Sequence, residues 1–121
     1  MKSSYEDKLL QGWEEVFRKA QLAPWIMLAL KDGPKHMAAI KRFIHSSTGG
    51  AVSADDQSYY RALRRYHRAQ MLEYVSRPGQ SGPDRKVYHL SAIGERVLRE
   101  FLKRNFTDVF YRPVVKKLIV R

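Results

Sequence analysis

The sequence predicts a mainly helical α+β domain, a winged helix-turn-helix with a small two-stranded β-wing and extra terminal helices for dimerisation. Three observations lead there. Apolar residues recur at helical spacing in successive stretches from Tyr5 to Asn105. Two short alternating segments flank the Pro/Gly loop Pro78-Gly79-Gln80-Ser81-Gly82-Pro83-Asp84, which reads as a hairpin. Directly before that hairpin, the helical stretch Ser58 to Arg68 carries four arginines and no acid.

Taken in order, Tyr5 to Ala20 is an amphipathic helix with Tyr5, Leu9, Trp13, Val16, Phe17 and Ala20 on one broad stripe, weakened but not broken by Gly12. A second helix is expected from Leu22 or Ala23 to about Lys31, with Pro24 in its first turn and Asp32-Gly33-Pro34 as its stop. A third is expected from Lys35 to Ser47, burying Ile40, Phe43 and Ile44, before Thr48-Gly49-Gly50 ends it. The basic helix follows, opened by Ser53-Ala54-Asp55-Asp56 with Ser53 as cap, and running to Gln70 or Met71. Leu72–Arg77 and Arg85–Leu90 alternate as the two strands. Ser91 caps a closing helix through about Asn105, whose apolar positions include Ile93, Val97, Leu98, Phe101 and Leu102. Val114 to Val120 fits either a strand or a short helix after Pro113.

With 121 residues the chain is sized for one domain. Its expected parts are an N-terminal dimerisation helix (1–20), a winged-helix core (22–90), a closing and dimerisation helix (91–105) and a tail of open structure (106–121). An apolar fraction of 44% argues for a folded core, and a net charge of +11 with an isoelectric point near 10.1 argues for a polyanionic partner. No apolar run approaches the ~20 residues of a membrane span, and the N-terminus lacks a signal peptide's apolar stretch. With no cysteine, disulfides and thiolate metal sites are excluded. A cytoplasmic, nucleoid-associated protein is the resulting expectation.

The basic helix carries the chemistry. At about 100° per residue, Arg61, Arg64, Arg65 and Arg68 share one arc of roughly 100°, while Tyr59, Ala62, Leu63 and Tyr66 share the adjacent one. One face can bury itself while the other offers guanidiniums to phosphates or guanine edges. A merely solvated basic face is the alternative. Tyr60 sits between the two faces and suits either a phosphate or a packed position. Arg77, Arg85 and Lys86 flank the wing, where a basic side chain can follow a nucleic-acid backbone.

Two stretches resemble the PadR-like winged-helix transcriptional regulators. Ser58-Tyr59-Tyr60-Arg61-Ala62-Leu63-Arg64-Arg65-Tyr66 is similar to that family's recognition-helix pattern. Gly82-Pro83-Asp84-Arg85-Lys86-Val87-Tyr88-His89-Leu90-Ser91-Ala92-Ile93-Gly94 is similar to its wing signature. A weaker likeness lies in Leu28-Ala29-Leu30 and Gly33-Pro34-Lys35-His36, and the whole covers Leu22 to Leu102. Met37-Ala38-Ala39 stands where the family has Gly-Tyr-Glu, so its tyrosine phosphate contact does not carry over. Tyr59, Arg61 and Tyr66 replace the family's aliphatic residue, proline and leucine. The chain looks like the compact subgroup, in which terminal helices pair two subunits.

The resemblance implies a homodimeric, sequence-specific regulator of double-stranded DNA, acting as a repressor. Its recognition helix, about 54–70, would enter the major groove, with the wing, 77–86, on the backbone or minor groove. The expected DNA contacts are Lys35, Ser58, Tyr60, Arg61, Arg64, Arg65, Arg68, Arg77, Arg85 and Lys86. Leu9, Trp13, Val16, Phe17, Ile93, Val97 and Phe101 are the expected dimer interface. A non-specific architectural or replication-linked DNA binder is the first alternative, and a protein-interaction adaptor that has lost DNA binding the second.

His36, His45, His67 and His89 lack metal-ligand spacing, so no metal and no cofactor is expected, and His36 is expected to cap or hydrogen-bond locally. Trp13 and Trp25 fit core or interface packing better than a sandwich site for a flat ligand, and the sequence names no small-molecule effector. Without a P-loop, a dinucleotide fingerprint or a recognisable nucleophile–base set, no catalysis is expected.

Overall fold

The computed structural model describes residues 4–120. Residues 1–3 of the predicted dimerisation helix and residue 121 of the predicted tail lie outside the described residues. Five helices of seven residues or more surround a three-stranded antiparallel sheet, in the order α1 (Ser4–Asp32), β1 (Lys35–His36), α2 (Met37–Thr48), α3 (Asp56–Arg68), β2 (Leu72–Arg77), β3 (Arg85–Leu90), α4 (Ala92–Leu102), α5 (Asp108–Phe110) and α6 (Pro113–Ile119). This is a winged helix-turn-helix. α2 and α3 form the helix-turn-helix, and the β2–β3 hairpin is the wing.

The N-terminal region differs from expectation. One continuous helix of 29 residues, about 44 Å long at 1.5 Å per residue, replaces the two separate helices. Pro24 removes one main-chain hydrogen bond, but Gln21-Leu22-Ala23 before it are good helix formers. With neither a glycine nor a cap between Ala20 and Pro24, nothing stops the helix. All the buried residues of α1 lie beyond Pro24, namely Ile26, Met27, Ala29 and Leu30. Its first half projects from the domain.

A second correction concerns Lys35 and His36. They are not the first turn of α2 but a short strand, β1, whose residues pair with Tyr88 and Val87 of β3. Pro34 disfavours a helical conformation just before it, and β3 offers an unoccupied edge. The wing hairpin thereby gains a third strand. The β2–β3 register runs from Leu72↔Leu90 to Arg77↔Arg85, so Leu72, Tyr74 and Tyr88 face the helices.

α2 ends at Gly49, whose φ of 60° favours glycine, and the His45 carbonyl accepts the N–H groups of both Gly49 and Gly50. α3 is capped by Asp55, not Ser53. The Asp55 carboxylate accepts the Ser58 N–H at 2.8 Å, and a full negative charge suits the positive helix end better than a hydroxyl. Gln70, at φ 66°, turns the chain from α3 into β2. The core is one cluster: Ile26 and Leu30 of α1, Ile40 and Ile44 of α2, Tyr59 and Leu63 of α3, Leu72 and Tyr88 of the sheet, and Leu98 of α4.

Beyond Leu102 the helix widens into a π-helical turn, Lys103–Thr107, before α5. Phe106 is brought between Phe101 and Phe110, with both centroid separations at 6.2 Å. The tail resolves as the short helix α6, with Pro113 in its first turn, where a missing N–H costs nothing.

Candidate nucleic-acid interface

The faces of α3 fall where helical periodicity places them. Tyr59 and Leu63 are buried, Ala62 and Tyr66 half-buried, and Tyr60, Arg61, Arg64, Arg65 and Arg68 exposed. Burial pushes the Tyr59 hydroxyl pKa up, so that side chain belongs to the packed face as a neutral group. Among the described residues none of the four arginines is ion-paired with a carboxylate. Ser58, half-buried, is tied by its N–H to Asp55. Both acids at the start of the helix are engaged. Asp55 serves as the cap, and Asp56 forms an ion pair with Lys41 of α2 at 2.5 Å. That pair also joins the two helices of the helix-turn-helix and holds negative charge away from the arginine face.

A groove lies on each side of α3. On the wing side it is bounded by His36, Tyr60, Arg64, Tyr88 and the loop from Gly79 to Lys86, enclosing about 580 Å³. There the Lys86 ammonium sits 4.7 Å over the Tyr74 ring. Arg85 reaches back to His36, with 3.2 Å between its guanidinium and Nε2. His36 also caps α2 by accepting the Ala39 N–H on Nδ1 at 3.3 Å. Burial first, then the charges of Arg85 and Arg42, lower the His36 pKa and keep the imidazole neutral. Arg77 and Arg85 are cross-strand partners, both exposed, at the end of the wing next to its tip.

Lys35 stands apart from the other expected contacts. Its ammonium donates to the Ala29 carbonyl and the Asp32 carboxylate, each at 2.8 Å, and to the Gly33 carbonyl at 3.3 Å. The Phe43 ring lies 4.9 Å beneath it, and only 14% of the side chain is exposed. Its charge closes the turn after α1.

The other groove, about 930 Å³, runs between α3 and α1. Arg61, Arg65 and Arg68 line it from one side, Arg18 and Lys19 from the other. The sequence did not single out Arg18 or Lys19. In Glu14-Glu15-Val16-Phe17-Arg18-Lys19 they read as ordinary charges of a solvated helix, and only the packing of α1 beside α3 brings them together with the arginines.

The match to a family model decides what this arrangement is. Residues 26–100 match the transcriptional regulator PadR-like family. The chain belongs to that family.

Solved structures agree. A PadR-like transcription factor from Bacteroides fragilis is similar over 81% of this chain and 91% of its own, with 26% identity and a TM-score of 0.66. Two others, at lower identity, share the fold. A PadR family regulator from Eggerthella lenta has 24% identity, covers 96% of this chain and 97% of its own, and gives a TM-score of 0.71. A PadR-like regulator from Bacillus cereus has 23% identity, coverage of 84% and 93%, and a TM-score of 0.67. No curated protein sequence matches the chain. Membership of the PadR-like family makes the chain a DNA-binding transcriptional regulator. No described helix is long and apolar enough to cross a membrane.

The expected interface residues fall on two helices. Leu9, Trp13, Val16 and Phe17 lie on the projecting half of α1, 55%, 77%, 69% and 54% exposed. Ile93, Val97 and Phe101 lie on α4, also exposed. Ala20, Pro24 and Met27 continue the α1 stripe into a shallow apolar groove of about 240 Å³ shared with Val97, Leu98 and Phe101. Trp25, by contrast, packs against the core.

Proposed function

We propose that this PadR-like protein is a homodimeric repressor that binds a near-palindromic double-stranded DNA site. α3 enters the major groove through Tyr60, Arg61, Arg64, Arg65 and Arg68, with Ser58 at its start. The wing lies along the backbone or minor groove through Arg77, Arg85 and Lys86. The observation that carries this reading is the arginine face of α3, held outward by a buried opposite face and without a carboxylate ion pair among the described residues. Lys35 is left out of the contact set because its ammonium is already bonded within the turn after α1.

Dimerisation through residues 1–20 and 91–105 accounts for the exposed stripe of α1 and its continuation beside α4. Large exposed apolar surfaces mark sites of association, and two recognition helices need a fixed spacing of about one helical turn to read one face of a duplex. Repression follows from occupying promoter DNA.

Genome-wide occupancy of the tagged protein, joined to titrations with duplex DNA, tests the reading. Sharp peaks over a few promoters are expected. Affinity should fall by about 10³–10⁵ between 50 and 200 mM salt, as for about 6–10 phosphate contacts. Broad coverage would indicate the architectural alternative, which the net charge of +11 favours. Absence of coverage together with a flat salt response would indicate the adaptor.

A further inference from the structure

We infer that α1 carries a second phosphate-binding rim, formed by Arg18 and Lys19, for the DNA strand on the side of α3 away from the wing. The inference rests on the proposed reading of α3 as the groove-entering helix. A helix lying in a major groove about 12 Å wide has a sugar–phosphate strand on each flank. The wing meets one of them. On the other flank the protein surface facing the duplex is the groove between α3 and α1.

The charges in that groove are one-sided. Arg18 and Lys19 from α1 and Arg61, Arg64, Arg65 and Arg68 from α3 line it, against the acids Glu15 and Asp55. The Asp55 carboxylate is already engaged by the Ser58 N–H at 2.8 Å. Glu14 and Arg18, and likewise Glu15 and Lys19, stand at the four-residue spacing that favours a helical ion pair. Among the described residues neither pair forms, and neither Arg18 nor Lys19 has another carboxylate partner. Six cations converging on one concave surface with two carboxylates leave a surplus of positive charge that an anion lying between them relieves. A phosphate strand is such an anion.

The rim is also free to act in a dimer. At about 100° per residue, Arg18 points roughly opposite to the stripe of Leu9, Trp13, Val16 and Phe17, and Lys19 lies to its side, about 105° from the stripe's centre. A partner seated on the stripe leaves Arg18 uncovered and has Lys19 at its border. Moreover, α1 is one unbroken helix whose later turns are locked into the core by Ile26, Ala29 and Leu30. The rim is thus fixed relative to α3, not carried on a loop.

Such contacts position the protein without reading bases. In the full-length protein, the Arg18→Ala/Lys19→Ala double variant should keep its helical circular dichroism and its assembly state. On mixed-sequence duplexes of about 30 base pairs, long enough for two half-sites one turn apart, its affinity should fall by the same factor whatever the sequence. The plot of log affinity against log salt should become shallower by about 0.9 for each phosphate that is no longer neutralised. Arg64→Ala serves as the parallel variant on the recognition face. In the wild-type protein, duplex DNA should protect the Lys19 amine from acetylation at low salt, and high salt should remove the protection.

An unchanged slope in the double variant, with Arg64→Ala still weakening binding, overturns the rim and leaves the recognition face standing. An unprotected Lys19 in a complex shown to be saturated overturns it as well, without relying on any variant. A wild-type protein that binds no duplex overturns both readings.

Discussion

Gly94 stands against the backbone carbonyl of Met71, with no room between them for a Cβ. The approach is held from both sides. Ser91 donates its N–H to that same carbonyl at 3.0 Å and its hydroxyl to the Gln70 carbonyl at 2.6 Å, while accepting the Gly94 N–H at 3.0 Å. The start of α4 is thereby clamped to the turn between α3 and β2, the point from which the recognition helix and the wing diverge.

Gly94→Ala should therefore lower stability by about 1–3 kcal/mol, the usual cost of forcing extra volume into a packed site. Gly12→Ala is the contrast. It lies mid-helix with nothing near its missing Cβ, and should raise stability by about 0.5–1 kcal/mol. Thermal unfolding of the two variants, read at one protein concentration, decides between a packing role and a generic glycine effect.

Leu63 and Arg64 are neighbours on α3 with opposite surroundings, the first fully buried and the second exposed. Leu63→Ala should cost about 2–5 kcal/mol of stability through the cavity it leaves. Arg64→Ala and Arg65→Ala should leave stability unchanged and weaken DNA binding by about 1–3 kcal/mol, with relaxed preference at one base pair if the arginine reads a base. If Arg64→Ala unfolds the protein while Leu63→Ala does not, the two faces have been exchanged.

The alternation of those faces was legible because it follows from the helical period alone, and the wing because Leu72–Arg77 and Arg85–Leu90 alternate about a Pro/Gly loop. The continuity of α1 was not. Pro24 is an equally good start signal and a tolerable interior residue, and only the placement of Ile26, Ala29 and Leu30 in the core shows which applies. The strand at Lys35 and His36 is two residues long, too short for any period, and exists because β3 had an open edge. Lys35 read as a DNA contact because its charge was visible, whereas the carbonyls that absorb it come from the fold.

That internal use of Lys35 gives a distinct expectation. Lys35→Ala removes the donor to the Ala29 and Gly33 carbonyls and to Asp32, and should cost about 1–3 kcal/mol of stability. The salt dependence of DNA binding should not change. A shallower salt slope with unaltered unfolding would instead return Lys35 to the DNA contacts.

His36 couples the fold to pH. Its folded pKa is lowered by burial and by Arg85 and Arg42, so the unfolded chain takes up the proton more readily. The stability it contributes is complete above the unfolded value of about 6.5 and declines as pH falls from there through the lower folded value. His36→Asn keeps a capping side chain but no titration, and should flatten the part of the stability curve below about pH 6.5 that belongs to this residue. Denaturant midpoints of both proteins across that range give the comparison. A variant with the same acid slope as wild type would assign the slope to other groups.

Assembly is the last test, and it turns on Trp13 and Phe17. Both are exposed on a half-helix that contributes nothing to the core, so changing them should leave the domain folded. Trp13→Asp/Phe17→Asp places two carboxylates in the proposed interface, where burying an unpaired charge is prohibitive. The variant should run as a monomer by light scattering, with unaltered helical content. Its DNA affinity should drop by about 10²–10⁴, the gain that two linked half-sites give over one. Val97→Asp on α4 should do the same, because the stripe and the α4 face are proposed to meet across the dimer axis. A wild-type protein that is itself monomeric, with and without DNA, would remove the partner subunit from the reading and leave the stripe on α1 without its proposed cover.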